Sequence, residues 1–275
     1  IKSEGGITAQ SPDKGYFAKQ IDSKNQIALR FTEEEFMGEP IRVLHILQRM
    51  EAGGTQALLM NIYRKIDRTK VQFDFWVVYK EKQFYDDEIE SMGGHVYKLS
   101  FREDLNLPKF QKDLKNFFKQ HHEYQIVHCH AYTIGYFCLK AAKKAGIPVR
   151  IAHSHNNETV HDIKYLPKLF MQRLFTLNAT DLFACSEEAG KYLFKDKPFR
   201  VLKNAIDSQQ FIANENTRRE VRQELGLENK FVVGHVGRLH PQKNHDFLID
   251  VFAEIKKKQP DAELILVGTG PLEEK

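Results

Sequence analysis

The sequence has 275 residues, of which 41% are hydrophobic and 28% are charged, and its formal net charge at pH 7 is +4. This composition is typical of folded proteins, and the mild positive charge suits anionic small molecules or a membrane surface without indicating nucleic acid. No apolar run reaches the ~20 residues of a membrane-spanning helix. The three cysteines lack paired spacing, which excludes a disulfide framework, and no signal peptide follows Ile1, so we expect a cytoplasmic protein.

Residues 1–40 differ from the rest of the chain. They contain helix-breaking residues such as Gly5-Gly6 and show no sustained apolar period, although residues 27–31 are apolar enough for one short strand. We interpret residues 1–40 as an extension of the folded protein or an artificial remnant.

From residue 41 onward, short apolar runs alternate with amphipathic helical segments. Runs of strand length lie at residues 41–47, 73–79, 95–99, 125–129, 148–152 and 181–185. Strands that alternate with helices form βαβ units, and strands covered on both faces appear as continuous apolar runs. The pattern predicts an α/β fold with a Rossmann-like parallel sheet in strand order 3-2-1-4-5.

The same pattern resumes after a polar, charged stretch at residues 206–230, which we interpret as a linker. Two further strands, at residues 231–237 and 263–267, flank one helix. The length predicts about two domains, which we place at residues 41–205 and 231–275. Because one βαβ unit cannot bury both faces of its sheet, the second domain is expected to be incomplete.

Two loops follow predicted strands and precede predicted helices. Gly53-Gly54 lets a ligand approach the backbone at a helix N-terminus, where free N–H groups favour an anion, but a tight turn has the same signature. Arg238 and Lys243 flank the second such loop, and they fit either a diphosphate site or a solvated loop.

Histidines are concentrated where the fourth and fifth strands end. His128 and His130 form one pair and His153 and His155 the other, and residues i and i+2 of a strand share a face. Ligands of open α/β sheets bind at this edge, so the pairs are expected to converge there. They are candidate zinc ligands of a metal hydrolase, candidate ligand contacts, or histidines of the core.

Residues 163–178 form an apolar helix with interspersed cations. This composition is compatible with burial in the core and with docking on an anionic membrane surface.

Taken together, these motifs resemble glycosyltransferase family 4, the retaining nucleotide-sugar glycosyltransferases of the GT-B fold, over about residues 41–275. The bacterial capsular and exopolysaccharide enzymes are the most similar in pattern. The resemblance rests on Gly53-Gly54, Ser186-Glu187, Asn204-Ala205-Ile206-Asp207, Gly237 to Asn244, and Val267 to Leu272. The family has glycine where this chain has Ala205, which puts a positive φ there in doubt.

The resemblance implies a role for each matching residue. Arg238 and Lys243 would bind the donor diphosphate, and Gly53-Gly54 would form an acceptor-side or phosphate loop. The family's histidine after the fifth strand, which contacts the donor sugar, matches His153 or His155, and we favour His155 because Asn156 follows it. The other cleft residues implied are His130, Ser186, Asn204, Gly268 and Gly270.

The family's chemistry implies neither a metal nor a cofactor. A sugar would move from a nucleoside diphosphate to a saccharide or lipid-linked acceptor with retention of configuration, in the cytoplasm or at the inner face of the membrane. The family's two glutamates would lie beyond Lys275, so we expect this chain alone to be a poor catalyst. A GT-B protein that only binds or epimerises sugar nucleotides, and the histidine-rich metal hydrolase, remain alternatives.

Overall fold

The computed structural model describes residues 38–99, 106–156 and 165–274. Contacts divide the chain between Ile206 and Asp207 into two compact units, which are described separately below as unit 1 and unit 2. The predicted extension and its short strand at residues 27–31 fall almost entirely outside the described residues.

Unit 1 contains a seven-stranded parallel sheet in the order β3-β2-β1-β4-β5-β6-β7. The order predicted for the first five strands is therefore confirmed. The strands are β1 (Ile41–Ile46), β2 (Val71–Val77), β3 (Val96–Lys98), β4 (Tyr124–Cys129), β5 (Val149–Ser154), β6 (Asp181–Ala184) and β7 (Arg200–Val201).

Helices connect successive strands of unit 1. They are α1 (Gly54–Lys65), α2 (Asp86–Ser91), α3 (Leu107–Gln120), α4 (Tyr132–Lys144), α5 (Tyr165–Phe175) and α6 (Glu187–Phe194). A 3₁₀ turn at Thr176–Asn178 continues α5 toward β6. None of the helices among the described residues combines the length and the apolar composition needed to cross a bilayer.

The core of unit 1 lies on both faces of the sheet. Leu44 and Ile46 of β1 belong to the apolar cluster on one face, whereas Val43 belongs to the cluster on the other. Side chains alternate between faces along a strand, so a strand covered by helices on both sides must be apolar at nearly every position. His45 follows this alternation and points to the same face as Val43.

Unit 2 contains two parallel strands, β8 (Phe231–Val236) and β9 (Ala262–Val267), joined through the helix α8 (His245–Lys258). The stretch predicted as a linker, residues 206–230, holds a helix that was not predicted, α7 (Glu215–Glu224). The Asn214 side chain caps α7 by accepting hydrogen bonds from the backbone N–H groups of residues 216 and 217. Val221 of α7 and Leu225, which directly follows the helix, line a surface cavity of about 380 Å³ together with Val232 and Ile265. The helix belongs to unit 2.

Candidate functional site

Five histidines from three neighbouring strands meet on one face of the sheet in unit 1. In the strand register His45 of β1 lies beside His128 of β4, and His130 and His155 lie just past the carboxyl ends of β4 and β5. The backbone N–H of His130 donates to the carbonyl of Ile46 at 2.8 Å, which ties these strand ends together. The predicted convergence of the two histidine pairs is confirmed as geometry.

Three of the imidazoles form a linear hydrogen-bonded chain. Nδ1 of His45 lies 3.2 Å from Nε2 of His130, and Nδ1 of His130 lies 2.7 Å from Nε2 of His155. The ring centroids in these pairs are 5.5 and 5.0 Å apart, as expected for rings that meet edge to edge.

The other two imidazoles form a second layer against this chain. Nε2 of His128 lies 2.9 Å from Nδ1 of His153. Across the layers, the His128 ring is 4.3 Å from that of His130, and the His153 ring is 4.0 Å from that of His155. The rings of His128, His130, His153 and His155 are therefore each held both by an in-plane hydrogen bond and by a contact with a ring of the other layer.

Burial keeps the cluster uncharged. It lowers the pKa of His45 to about 3 and the pKa of His155 to about 4, and it lowers the pKa values of His128, His130 and His153 well below the ordinary value of 6.5. Desolvation penalises the protonated imidazole, and the neighbouring histidines add repulsion at the most buried sites. At neutral pH the cluster can act through hydrogen bonds and not through positive charge.

The two candidate sugar-contacting histidines occupy different positions. His153 is fully buried and contacts other histidines, whereas His155 is partly exposed at the end of β5. The hydroxyl of Tyr132 accepts hydrogen bonds from the backbone N–H groups of His155 and Asn156, the latter at 3.0 Å, and so fixes the chain at this point. His155 is therefore the more exposed member of the pair, although its Nδ1 is itself buried and its Nε2 contacts His130.

The cluster also contains groups of metal-ligating atoms. The ring nitrogens of His45, His128 and His130, and those of His130, His153 and His155, lie within 4.8 Å of one another. However, both ring nitrogens of His130 are already hydrogen-bonded to other histidines, and neither group includes a carboxylate. The arrangement supports a neutral hydrogen-bonded network better than the metal centre of a hydrolase, which would need carboxylate ligands as well as histidines.

The predicted glycine loop lies at the same edge of the sheet. Gly53 precedes α1 and Gly54 begins it, after β1 has ended at Ile46. The described structure gives α1 neither a side-chain cap nor an acidic residue in its first turn. A Cβ at Gly54 would meet nothing within 4 Å, so there is open space beside the first turn of this helix, where the backbone N–H groups lack partners within the helix.

Ser186 and Asn204 lie beyond the ends of two further strands. Ser186 caps α6, and its Oγ accepts a hydrogen bond from the backbone N–H of Ala189 at 3.1 Å. Asn204 is exposed, and among the described residues positive φ angles outside glycine occur only at Lys195 and Asn244. Ala205 therefore does not have a positive φ, and the backbone at this position does not require the glycine found in the family.

In unit 2, the loop that carries Arg238 and Lys243 lies beside the loop that carries Gly268 and Gly270. Leu239 donates its backbone N–H to the carbonyl of Thr269 at 3.0 Å, which joins the loop after β8 to the loop after β9. Gly268 and Gly270 permit this approach, because a Cβ at either would collide with the backbone carbonyl of Gly237 or Leu239.

Arg238 and Lys243 are both exposed on the loop that follows β8. Neither side chain forms a hydrogen bond or ion pair with any residue that the structure describes. Asn244 then starts α8 in the left-handed conformation, at φ 52°. Two unpaired cations thus precede a helix N-terminus, which is favourable for an anion.

Two contributors to the histidine cluster were not predicted. His45 is a single histidine inside an apolar run, and only the register of β1 against β4 reveals that it faces the cluster. Nothing in the sequence distinguishes Tyr132 from other aromatic residues at the start of a helix, so its contact with the backbone of His155 could not be predicted. A histidine in a buried strand next to a His-x-His strand is the signal that would have identified His45.

Family models match both units of the chain. Residues 52–210 match the model described as Glycosyltransferase Family 4, and residues 217–275 match the model described as Glycosyl transferases group 1. The first match alone covers more than half of the chain. The chain belongs to glycosyltransferase family 4.

Curated relatives of this family 4 chain include the capsular polysaccharide biosynthesis glycosyltransferase CapH of Staphylococcus aureus, to which it is 26% identical over 237 residues, 83% of this chain and 62% of CapH. It is 36% identical over 241 residues to the putative glycosyltransferase EpsF of Bacillus subtilis, an alignment that covers 84% of this chain and 62% of EpsF. It is 26% identical over 247 residues to the UDP-Gal:alpha-D-GlcNAc-diphosphoundecaprenol alpha-1,3-galactosyltransferase of Escherichia coli, with coverages of 84% and 63%. The chain thus spans somewhat less than two thirds of the length of these relatives.

Among solved structures, the family 4 chain is similar to Anabaena Alr3699/HepE in complex with UDP-glucose. The TM-score is 0.67 at 21% sequence identity, over 83% of this chain and 61% of that one. This likeness assigns the fold class to GT-B, as predicted.

Proposed function

We propose that the protein transfers a sugar from a nucleoside diphosphate to a saccharide or lipid-linked acceptor, with retention of configuration at the sugar. Family membership and the similarity to EpsF support glycosyl transfer. The printed name of the Escherichia coli relative describes a UDP-sugar donor and a diphosphoundecaprenol acceptor, which supports these two substrate classes.

The observation that carries the proposal is the pair of unpaired cations in unit 2. Breaking the sugar–phosphate bond places negative charge on the leaving diphosphate, and preorganised donors are most effective where charge develops. Arg238 supplies a planar guanidinium that suits phosphate oxygens, and Lys243 supplies a point charge beside the start of α8. Gly268 and Gly270 keep the neighbouring loop close to these groups.

In unit 1, His155 contacts the donor sugar, and Gly53-Gly54 accommodates the acceptor or its phosphate. A neutral imidazole suits a sugar hydroxyl, because it binds without requiring a compensating charge. His130, Ser186 and Asn204 line the same edge of the sheet. His153 supports His155 from below through its ring contact of 4.0 Å.

The proposed reaction needs no protein nucleophile. The leaving phosphate takes the proton of the acceptor hydroxyl on the same face of the sugar, so the new bond forms on the side from which the diphosphate departs. The protein holds the donor and stabilises the diphosphate, and it requires no metal or cofactor for this step.

We further propose that the reaction takes place in the cytoplasm at the inner face of a membrane. The helix α5 and its 3₁₀ continuation expose Phe170 and Leu177, and Arg173 lies exposed between them. An apolar surface with an adjacent cation favours an anionic bilayer. Sedimentation with vesicles of phosphatidylglycerol, compared with vesicles of phosphatidylcholine, tests this contact.

The product of the reaction tests the proposed function. The complete gene product that carries this sequence is incubated with UDP- and GDP-sugars and a lipid-linked saccharide, and NMR spectroscopy determines the anomeric configuration of any product. We expect transfer that preserves the configuration of the donor. Inversion would contradict retention, and conversion of the donor sugar without an acceptor would favour an epimerase instead.

A further inference from the structure

A groove with a basic rim, called here the basic groove, lies between α3 and α4 in unit 1 and has a volume of about 630 Å³. Its floor is apolar and includes Leu114, Phe118 and Phe137. Its rim carries five exposed lysines: Lys112, Lys115, Lys119, Lys140 and Lys144. None of the described residues that line the groove is acidic. The groove therefore combines concentrated positive charge with an open apolar surface.

The lysines of the rim have no counter-ions among the residues that the structure describes. Four of them form no side-chain hydrogen bond or ion pair there: Lys112, Lys115, Lys119 and Lys144. The ammonium group of Lys140 donates to the neutral hydroxyl of Tyr136, at 3.4 Å. Clustered like charges favour an anionic occupant, and the open apolar floor favours one that also has an apolar part.

The start of β1 lies beside one end of the basic groove. In the sheet β4 is the neighbour of β1, and Arg42 of β1 is paired with Tyr124 of β4. Helices that connect parallel strands run back from the carboxyl edge of the sheet to its amino edge, so α3 and α4 both end at the amino edge. Lys119 and Lys144 lie in the last turns of these two helices. The chain that enters β1 is therefore close to the groove.

The sequence just before the described residues has the chemistry that the basic groove favours. Glu33-Glu34-Glu35-Phe36, called here the acidic segment, supplies three consecutive carboxylates and an aromatic ring. Its glutamates precede Arg42 by seven to nine residues. An extended chain of that length spans up to about 25–30 Å, whereas Lys112 and Lys119 are only about 10 Å apart along α3. The whole rim is therefore within reach of the acidic segment.

We propose that the acidic segment binds in the basic groove, with its carboxylates against the rim lysines and the ring of Phe36 on the apolar floor. Exposed ion pairs are individually weak, so the contact depends on several of them together with the burial of the ring. Because the segment belongs to the same chain, it binds at a high effective concentration. The segment thereby covers a basic face of unit 1 that would otherwise attract other anions. This contact does not depend on the proposed sugar transfer.

Zero-length cross-linking of the complete 275-residue chain tests this contact. A carbodiimide joins a carboxylate to a lysine amine through an amide bond where the two groups touch, and mass spectrometry identifies the joined residues. We expect amide bonds between the glutamates of the acidic segment and the rim lysines. The ion pair of Lys82 and Asp87, at 2.7 Å, is the positive control for the reaction.

Lys70 is the matched reference for mere proximity along the chain. Its backbone carbonyl accepts a hydrogen bond from the N–H of Ile41 at 2.9 Å, so this exposed lysine also lies beside the start of β1. Binding in the groove is expected to give at least about threefold more cross-linking to the rim lysines than to Lys70. Cross-linking mainly to Lys70 or to other lysines, or none from the acidic segment, would overturn the proposal.

The reactivity of the lysines provides an independent test. Glu33→Gln/Glu34→Gln/Glu35→Gln removes the charge of the acidic segment and keeps its length, and Phe36→Ala removes its ring. In each variant we expect acetylation of the rim lysines to be roughly threefold faster or more, whereas Lys70 reacts as in the wild type. Unchanged rates in either variant would overturn the proposed contact. Equal protection of the rim lysines by phosphatidylglycerol vesicles in the wild type and both variants would also overturn it, in favour of a lipid surface.

Discussion

Nε2 of His128 lies 2.9 Å from Nδ1 of His153, and both rings are almost completely excluded from solvent. Neither ring has a carboxylate partner among the described contacts, so each is stable only while it is neutral. The native state therefore resists protonation at sites where the unfolded chain accepts protons readily.

This difference makes unit 1 sensitive to acid. The pKa of an ordinary histidine is 6.5, whereas the pKa of His155 is lowered to about 4 and that of His45 to about 3. As the pH falls below about 6.5, the unfolded chain takes up protons that the native cluster does not, and the free energy of unfolding falls by up to about 1.4 kcal/mol per pH unit for each histidine. The free energy of unfolding stops falling only when the pH approaches the lowered pKa values of the histidines in the native protein.

Urea unfolding at pH 7.5, 6 and 5 measures this loss. Trp76 is the single tryptophan and is buried in unit 1, so its fluorescence reports on the unfolding of that unit. His45→Phe is expected to show a shallower pH dependence than the wild type, whereas His122→Phe is expected to match it. A free energy of unfolding that stays constant or rises from pH 7.5 to 5 would contradict the neutral cluster.

A second prediction concerns the buried carboxylate of Asp74. Arg42 donates to it twice, at 2.7 and 2.6 Å, and the hydroxyl of Tyr124 donates at 2.8 Å. Burial alone would raise the pKa of Asp74, but the hydrogen bonds and charge of Arg42 outweigh it and lower the pKa. The carboxylate therefore stays ionised and paired at neutral pH.

Asp74→Asn is expected to lower the free energy of unfolding by about 3 kcal/mol, the lower end for a broken buried pair. The lower end applies because the Arg42 side chain retains 21% exposure and can be partly hydrated. Asp87→Asn is the control, since this carboxylate is 77% exposed and pairs with Lys82 at 2.7 Å. Asp87→Asn is expected to change the free energy of unfolding by no more than about 0.5 kcal/mol. Equal changes for the two variants would show that the buried Arg42–Asp74 pair stabilises the fold no more than an exposed ion pair does.

Two glycines at the sheet edge and in the core provide a third prediction. Gly54→Ala adds a Cβ in open space at the start of α1, so we expect an unchanged or slightly higher melting temperature. Because the added Cβ would occupy space proposed for the acceptor or its phosphate, we expect sugar transfer by the complete gene product to be at least about tenfold slower. Gly94→Ala places a Cβ within 2.7 Å of the Tyr63 hydroxyl and against other packed atoms, and is expected to cost about 1–3 kcal/mol of stability. Normal transfer by the Gly54→Ala variant would remove this loop from the site.

Much of the fold follows from local sequence patterns, and the exceptions have physical reasons. The apolar run at residues 41–47 predicts β1 because a parallel strand covered on both faces needs such a run. Helix α7 was missed because it is rich in charge, and only a few apolar residues in it or next to it, such as Val221 and Leu225, line the cavity that it shares with the strands of unit 2. Its asparagine cap at residue 214 was the available signal.

The parts of the candidate site that come from repeated sequence motifs could be predicted. The parts that depend on which residues of neighbouring strands lie side by side could not. Two His-x-His pairs at successive strand ends predict convergence from the sequence alone. The role of His45 depends on its position opposite His128 in a neighbouring strand that is distant in sequence.

The central claim is that the protein binds the diphosphate of a nucleotide sugar through Arg238 and Lys243. Calorimetric titration of the chain with UDP and GDP, each repeated with the Arg238→Ala/Lys243→Ala variant, tests it most directly. Because each charge-assisted hydrogen bond contributes about 1.5–3 kcal/mol, the double variant is expected to bind at least tenfold more weakly. An Arg219→Ala/Lys258→Ala variant, which removes the same charge from exposed helical positions of unit 2, is expected to bind like the wild type. Unchanged affinity in the Arg238→Ala/Lys243→Ala variant would contradict the account.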